Sequence, residues 1–116
     1  MIVVVKLAAA LICFSGQCHP VLVGKDTPVG RFRIAQRMVL AEGYGGDVLM
    51  FSEDPRSVLA IHRVWNGRPS ERRAQRIASK AAADRRGITG GCVNVTPEVY
   101  AALVDCCSTS VLQIEP

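Results

Sequence analysis

From its N-terminus to His62 the sequence never sustains a helical period, which excludes a helical bundle before any motif is considered. The apolar residues fall in short runs: a β-branched run at 2–5, a second run at 11–14 and a third at 21–23. Arg31-Phe32-Arg33-Ile34 alternates polar and apolar as a half-buried strand does. Residues 38–40 continue in the same style, and 47–51 and 57–62 supply two more strands. Ser15-Gly16, the 24–30 loop with its glycines and Pro28, and residues 42–46 and 52–56 are the turns between these runs. With 116 residues, 49% of them apolar, there is material for one core, so a single domain over 1–116 is expected.

The period changes at Pro69. Ala74, Ile77, Ala78 and Ala81 recur at helical spacing, Pro69 and Glu71 suit a first turn, Arg85 and Arg86 a last turn, and Gly87 a stop. Together they predict a helix over 69–86. Thr96 as N-cap, Pro97 at the first helical position and the stripe Val99, Ala102, Leu103 and Cys106 predict a second helix over 97–105. Residues 109–114 then close the chain as a strand. The expected fold class is mainly β, within α+β, with two helices inserted late.

The formal net charge of +4 is concentrated between residues 68 and 86, where Arg68, Arg72, Arg73, Arg76, Lys80, Arg85 and Arg86 face only Glu71 and Asp84. Apart from nearby Trp65 this segment has no aromatic residue on which bases could stack, so no nucleic-acid partner is expected. The arginine stems either cover a solvated helix face or, in Arg72, Arg73 and Arg76, steer an anionic substrate into a cleft. Lys6 interrupts the N-terminal apolar residues. A strand is therefore expected there, with no export signal visible and no membrane-spanning segment.

Cys92 stands apart among five cysteines; Cys13 and Cys18 flank a short turn and Cys106 and Cys107 are adjacent. There is no CxxC spacing and only His19 and His62 are available, so neither a metal nor a cofactor is expected. Thr89-Gly90-Gly91-Cys92-Val93-Asn94 is the most informative stretch. Two glycines before a cysteine allow a tight turn whose N–H groups point into one concavity, a geometry that holds an oxyanion and should lower the thiol pKa. His62, at the end of a strand, is the available general base. The bland alternative is a buried apolar Cys92 and a satisfied surface His62. Residue types and spacing alone leave both open.

Thr89-x-Gly91-Cys92-x-Asn94 resembles the Ser/Thr-x-Gly-Cys-x-Asn/Arg signature of the L,D-transpeptidases, the YkuD-type peptidoglycan cross-linking enzymes, and His62 matches their upstream histidine. Gly24-Lys25 followed by Thr27-Pro28-Val29-Gly30-Arg31-Phe32 is similar to the family's Gly…Thr-Pro-x-Gly-x-Phe segment, and residues 2–23 look like its opening strands. The resemblance runs in order over nearly the whole chain. It implies mixed, sandwich-like β-sheets and a cysteine-dependent acyl transfer on peptidoglycan stem tetrapeptides in the cell envelope or periplasm. By the same resemblance Cys92 is the nucleophile and His62 the base, oriented by the Arg63 carbonyl. The N–H groups of Gly90, Gly91 and Cys92 are the oxyanion hole, and Asn94 positions the substrate or the loop. From their place in the chain beside these residues, Thr89, Arg72, Arg73 and Arg76 are further candidate substrate contacts, and Trp65 is either a core or rim residue or a lining of the substrate groove. The sequence departs from the pattern at Gly90, where family members often carry His or Arg. The other functions compatible with the fold are a peptidoglycan-binding domain without turnover, and a toxin that trims or exchanges stem peptides in a competitor's wall.

Overall fold

A computed structural model describes residues 2–116 as two mixed β-sheets with two short α-helices. The first sheet contains β1 (Ile2–Lys6), β2 (Leu11–Phe14), β3 (Gln17–Pro20), β4 (Gly30–Arg33) and β9 (Val111–Glu115), in the order β3-β2-β1-β9-β4. The second contains β5 (Ala35–Met38), β6 (Asp47–Glu53), β7 (Val58–Arg63) and β8 (Val93–Val95), in that order. β1 pairs with β9, and β7 with β8, in parallel; every other pairing is antiparallel. This is the mainly β, sandwich-like architecture expected from the sequence.

The strand pattern explains the core. Period-two alternation sends Val3 and Val5 of β1, Ile12 and Phe14 of β2, and Leu112 and Ile114 of β9 inward. They meet Leu49, Phe51 and Ile61 of the second sheet, Val93 and Val95 of β8, and the apolar stripe of α2 (Pro97–Cys107), which buries Val99, Tyr100, Leu103 and Cys107. Thr96 caps α2 as expected, its hydroxyl accepting the Val99 N–H at 3.3 Å. The helix runs two residues beyond the expected end. Disulfides join Cys13 to Cys18 across the β2–β3 hairpin and Cys106 to Cys107, leaving Cys92 as the free thiol.

Two sequence expectations are corrected. The run 21–23 is not a strand of the first hairpin sheet. β3 ends at Pro20, and Leu22 instead makes a single antiparallel bridge to Asn94, with N–H···O distances of 3.0 and 2.9 Å. The helix expected over 69–86 is broken into a 3-10 turn (Pro69–Glu71), α1 (Arg73–Ile77) and a second 3-10 turn (Ala82–Arg85). Its apolar stripe is too thin to hold a long helix: Ile77 is buried, while Ala74, Ala78 and Ala81 are exposed. Arginine side chains instead satisfy the backbone carbonyls of this segment. Arg76 Nε donates to Glu71 O at 3.0 Å, and the buried Arg85 donates to the carbonyls of Ala9, Ala10 and Ser79. Arg72 breaks the first turn by entering the left-handed region at φ 52°.

The 23–27 loop sets the position of the cysteine loop. The Gly24 N–H is capped by Thr27 Oγ1 at 2.9 Å, and Val23 O accepts the Ile88 N–H at 2.9 Å. A Cβ on Gly24 would run into the Thr89 carbonyl, so only glycine lets the two loops close. Gly24→Ala is therefore expected to cost about 1–3 kcal/mol, read as a lower urea midpoint at unchanged slope.

Candidate active site

The parallel register of β7 and β8 places His62 opposite Asn94 and Ile61 opposite Val93. His62 is 3% exposed. Its Nδ1 lies 2.8 Å from the Arg63 carbonyl. A carbonyl can only accept, so Nδ1 carries the proton and Nε2 holds the lone pair. Nε2 is 3.2 Å from Asn94 Nδ2, and Asn94 Oδ1 accepts from Arg73 Nη1 at 2.8 Å. Arginine can only donate, which fixes the orientation of the amide: Oδ1 toward Arg73, N–H toward the imidazole. Arg73 is held in turn by Glu71, with Nε 3.1 Å from Oε1. Burial pushes the His62 pKa down and the Arg73 charge adds to this, against the raising effect of the Arg63 carbonyl. The resting imidazole is neutral and both its nitrogens are engaged.

Cys92 follows the glycine turn directly. Thr89 Oγ1 donates to the Cys92 carbonyl at 2.6 Å and accepts the Gly91 N–H at 3.2 Å, closing the loop on itself. Gly91 has φ +129°, and a Cβ there would lie 2.8 Å from Leu59 Cδ2, so this position requires glycine. Gly90 is different: a Cβ there would meet nothing within 4 Å. Of the three amides expected to form an oxyanion hole, that of Gly91 is spent on Thr89, while Gly90 and Cys92 both line the cavity. The Cys92 thiol donates to the Val58 carbonyl, with S···O 3.7 Å. Its pKa is raised, not lowered as the glycine turn suggested. Burial outweighs the Ala60 backbone hydrogen bond and the Arg73 charge that favour the thiolate.

Cys92, His62, Trp65, Arg73, Thr89 and Gly90 line one cavity of about 330 Å³. Asn94 lies behind it, touching His62. Arg72 and Arg76 do not reach the cavity; Arg76 donates to the carbonyls of Glu71 and Asp84. Tyr44 and Arg68 also line the cavity, beside Glu42 and the start of β7, and were not found from the sequence. The Tyr44 ring lies 5.2 Å from that of His62, and its hydroxyl donates to the same Val58 carbonyl at 3.2 Å. Its only signal in the sequence is an aromatic side chain set among Gly43, Gly45 and Gly46. The Arg63 side chain holds this loop in place: it donates to the Gly45 and Asp47 carbonyls, pairs with the Asp47 carboxylate at 3.1 Å, and lies 4.0 Å over the Tyr100 ring. Burial alone would raise the Asp47 pKa. Hydrogen bonds from Tyr100, Gln36 and Arg63, with the Arg63 charge, hold it below the usual carboxylate range. No group of three or more His, Cys, Asp or Glu among the described residues is placed to hold a metal ion.

No protein-family model matches the sequence, and no curated protein is similar to it at sequence level. Solved structures are similar in fold. An L,D-transpeptidase from Xylanimonas cellulosilytica superposes with TM-score 0.61 at 16% identity, over 97% of this chain and 59% of its own. One from Mycobacterium smegmatis gives 0.62 at 18%, over 99% and 58%. An L,D-transpeptidase in complex with imipenem gives 0.60 at 15%, over 97% and 57%. The chain thus spans less than two thirds of these structures. Its two mixed sheets, with the cysteine turn leading into β8 beside His62, have the fold of the L,D-transpeptidase catalytic domain.

Proposed function

We propose that this domain is a cysteine-dependent L,D-transpeptidase that acts on peptidoglycan stem tetrapeptides. The observation that carries this reading is the meeting of the free Cys92 thiol and an imidazole of fixed tautomer in one cavity, beside the backbone amides of Gly90 and Cys92. The Cys92 proton passes to His62 Nε2, and the thiolate adds to the carbonyl of the third stem residue. The Gly90 and Cys92 N–H groups stabilise the oxyanion, each donor contributing on the order of 10²–10³ in rate. The imidazolium then protonates the departing D-Ala amine, leaving a thioester. An incoming amine gives its proton to Nε2 as it displaces Cys92, and the thiol is restored. The Arg63 carbonyl keeps Nδ1–H in place throughout, as a carboxylate does in other triads. Trp65, Arg73 and Thr89 contact the substrate. The two disulfides favour an oxidising compartment, in keeping with work in the cell envelope. No helix among the described residues is long and apolar enough to cross a membrane.

One feature of the site supports a second reading. The resting imidazole is occupied by Asn94 and the thiol pKa is raised, as suits a peptidoglycan-binding domain without turnover. A carbapenem separates the two. The native chain is expected to gain the mass of one carbapenem on Cys92, with none gained by Cys92→Ala and a rate about 10²–10⁴ lower in His62→Ala. Folded native chain that stays unmodified would refute the enzyme. Because the thiolate is the reactive form and burial disfavours it, alkylation of Cys92 by iodoacetamide should keep rising at pH values where an unperturbed cysteine has levelled off. Stopped-time mass spectrometry across pH measures this.

A further inference from the structure

Arg73 lines the cavity and is joined to the base through Asn94. Its Nε holds Glu71 and its Nη1 holds Asn94, while Nη2 has no hydrogen-bond partner among the described residues. Among the described residues no buried side-chain nitrogen or oxygen lacks a partner, so Nη2 is not sealed in the interior; Arg73 lines the cavity of Cys92 and His62 and, on its other side, a hollow bounded by Asn66, Pro69 and Gln75. The side chain is only 12% exposed. Arg68 lines the same cavity, and both guanidinium carbons lie 5.9 Å from the Trp65 ring centroid. Glu42 is the one acid on this wall. A largely desolvated guanidinium with an open N–H edge, beside a second cation and an aromatic face, recognises a carboxylate.

Arg73 also governs whether His62 can act. With Nδ1–H committed to the Arg63 carbonyl, the imidazole has one lone pair, on Nε2, and the Asn94 N–H occupies it. The Cys92 proton can be received only when Asn94 withdraws. Asn94 cannot turn its amide while Arg73 holds Oδ1, because turning would set N–H against N–H. We propose that Arg73 is the carboxylate receptor of the cleft and a positioning residue for His62. An acyl donor whose leaving residue ends in a free carboxylate binds Arg73 Nη2, draws the guanidinium from Asn94 Oδ1 and frees Nε2 for the Cys92 proton. The Arg73–Asn94, Asn94–His62 and Cys92–Val58 hydrogen bonds are given up and carboxylate–Arg73 and S–H···Nε2 are formed, the carboxylate–arginine pair, charged on both sides, being the strongest of the set. The bound anion also offsets the Arg73 charge that would otherwise oppose an imidazolium. This rests on the acyl-transfer reading for the identity of the donor, but its test requires no turnover.

Iodoacetate and iodoacetamide deliver the same carbon to a thiol and differ by a carboxylate. The ratio of their rates at Cys92, relative to the ratio at a free thiol, should favour iodoacetate in the native chain. It should fall about tenfold in Arg73→Gln, the loss expected for one charge-assisted hydrogen bond. It should fall less in Arg73→Lys, which keeps the charge, and remain unchanged in Arg31→Gln on the far sheet. An unchanged ratio in folded Arg73→Gln overturns the receptor. For the coupling, the ¹⁵N shift of His62 Nε2 is followed in Cys92→Ala as stem tetrapeptide is added with a free C-terminal carboxylate or as its C-terminal amide. A shift with the acid alone, lost when Arg73→Gln is added, supports the release. Equal shifts with both peptides overturn it. Failure of a carbapenem to acylate Cys92 would count against the catalytic reading alone, because neither measurement depends on an acyl-enzyme.

Discussion

The parallel pairing of β7 with β8 is the constraint on which the site depends. Parallel neighbours cannot be joined by a hairpin; the chain must leave the end of one strand and return to the start of the next. Here the returning segment is the arginine-rich stretch between Trp65 and Thr89. One topological requirement therefore does three things. It sets His62 beside Asn94, it brings the glycine turn to the mouth of the strands, and it lays Arg73 across them. The Leu22 bridge to Asn94 and the contact of Gly24 with Thr89 fasten β8 and its turn from the other side.

The electrostatics of the pair follow from the same burial. Dehydration opposes charge on both groups, raising the thiol and depressing the imidazole, so the resting site holds a neutral acid and a neutral base. Arg73 favours the thiolate and disfavours the imidazolium, so on its own it cannot stabilise an ion pair between them. Charge has to be brought in by what binds. A site of this kind is protected from adventitious alkylation and oxidation, which follow thiolate character and access.

Much of this was legible in the sequence, for physical reasons that differ by element. Short β-branched runs and period-two alternation are local properties, so β1, β2, β4, β6, β7 and β9 could be read within a few residues. The α2 start is written in Thr96 and Pro97. Cys92 and His62 stood out as candidates because paired glycines and a strand end mark them locally, but their roles, and that of the Arg63 carbonyl, came only from the resemblance to the L,D-transpeptidases. The broken helix was not legible. Its apolar stripe is thin, Arg72 turns left-handed, and Arg85 anchors the last turn on the Ala9 and Ala10 carbonyls, contacts far away in sequence that no periodicity contains. Tyr44 was hidden for the same reason: its place over His62 depends on Arg63 gripping the Gly45 carbonyl across the sheet. The pKa of Cys92 was misjudged because a turn rich in N–H groups says nothing about how much water the fold removes.

The two glycines before Cys92 have opposite tolerance for change. Gly91 is fixed by its left-handed backbone and by Leu59, whereas Gly90 has neither a positive φ nor a neighbour within reach of a Cβ. The turn can therefore keep its shape while almost any side chain is grafted one residue away from the constrained position. Descendants of such a chain could acquire or discard an imidazole, a guanidinium or a hydroxyl at the cavity wall without refolding the loop, so substrate range here can drift under selection while the architecture stays constant.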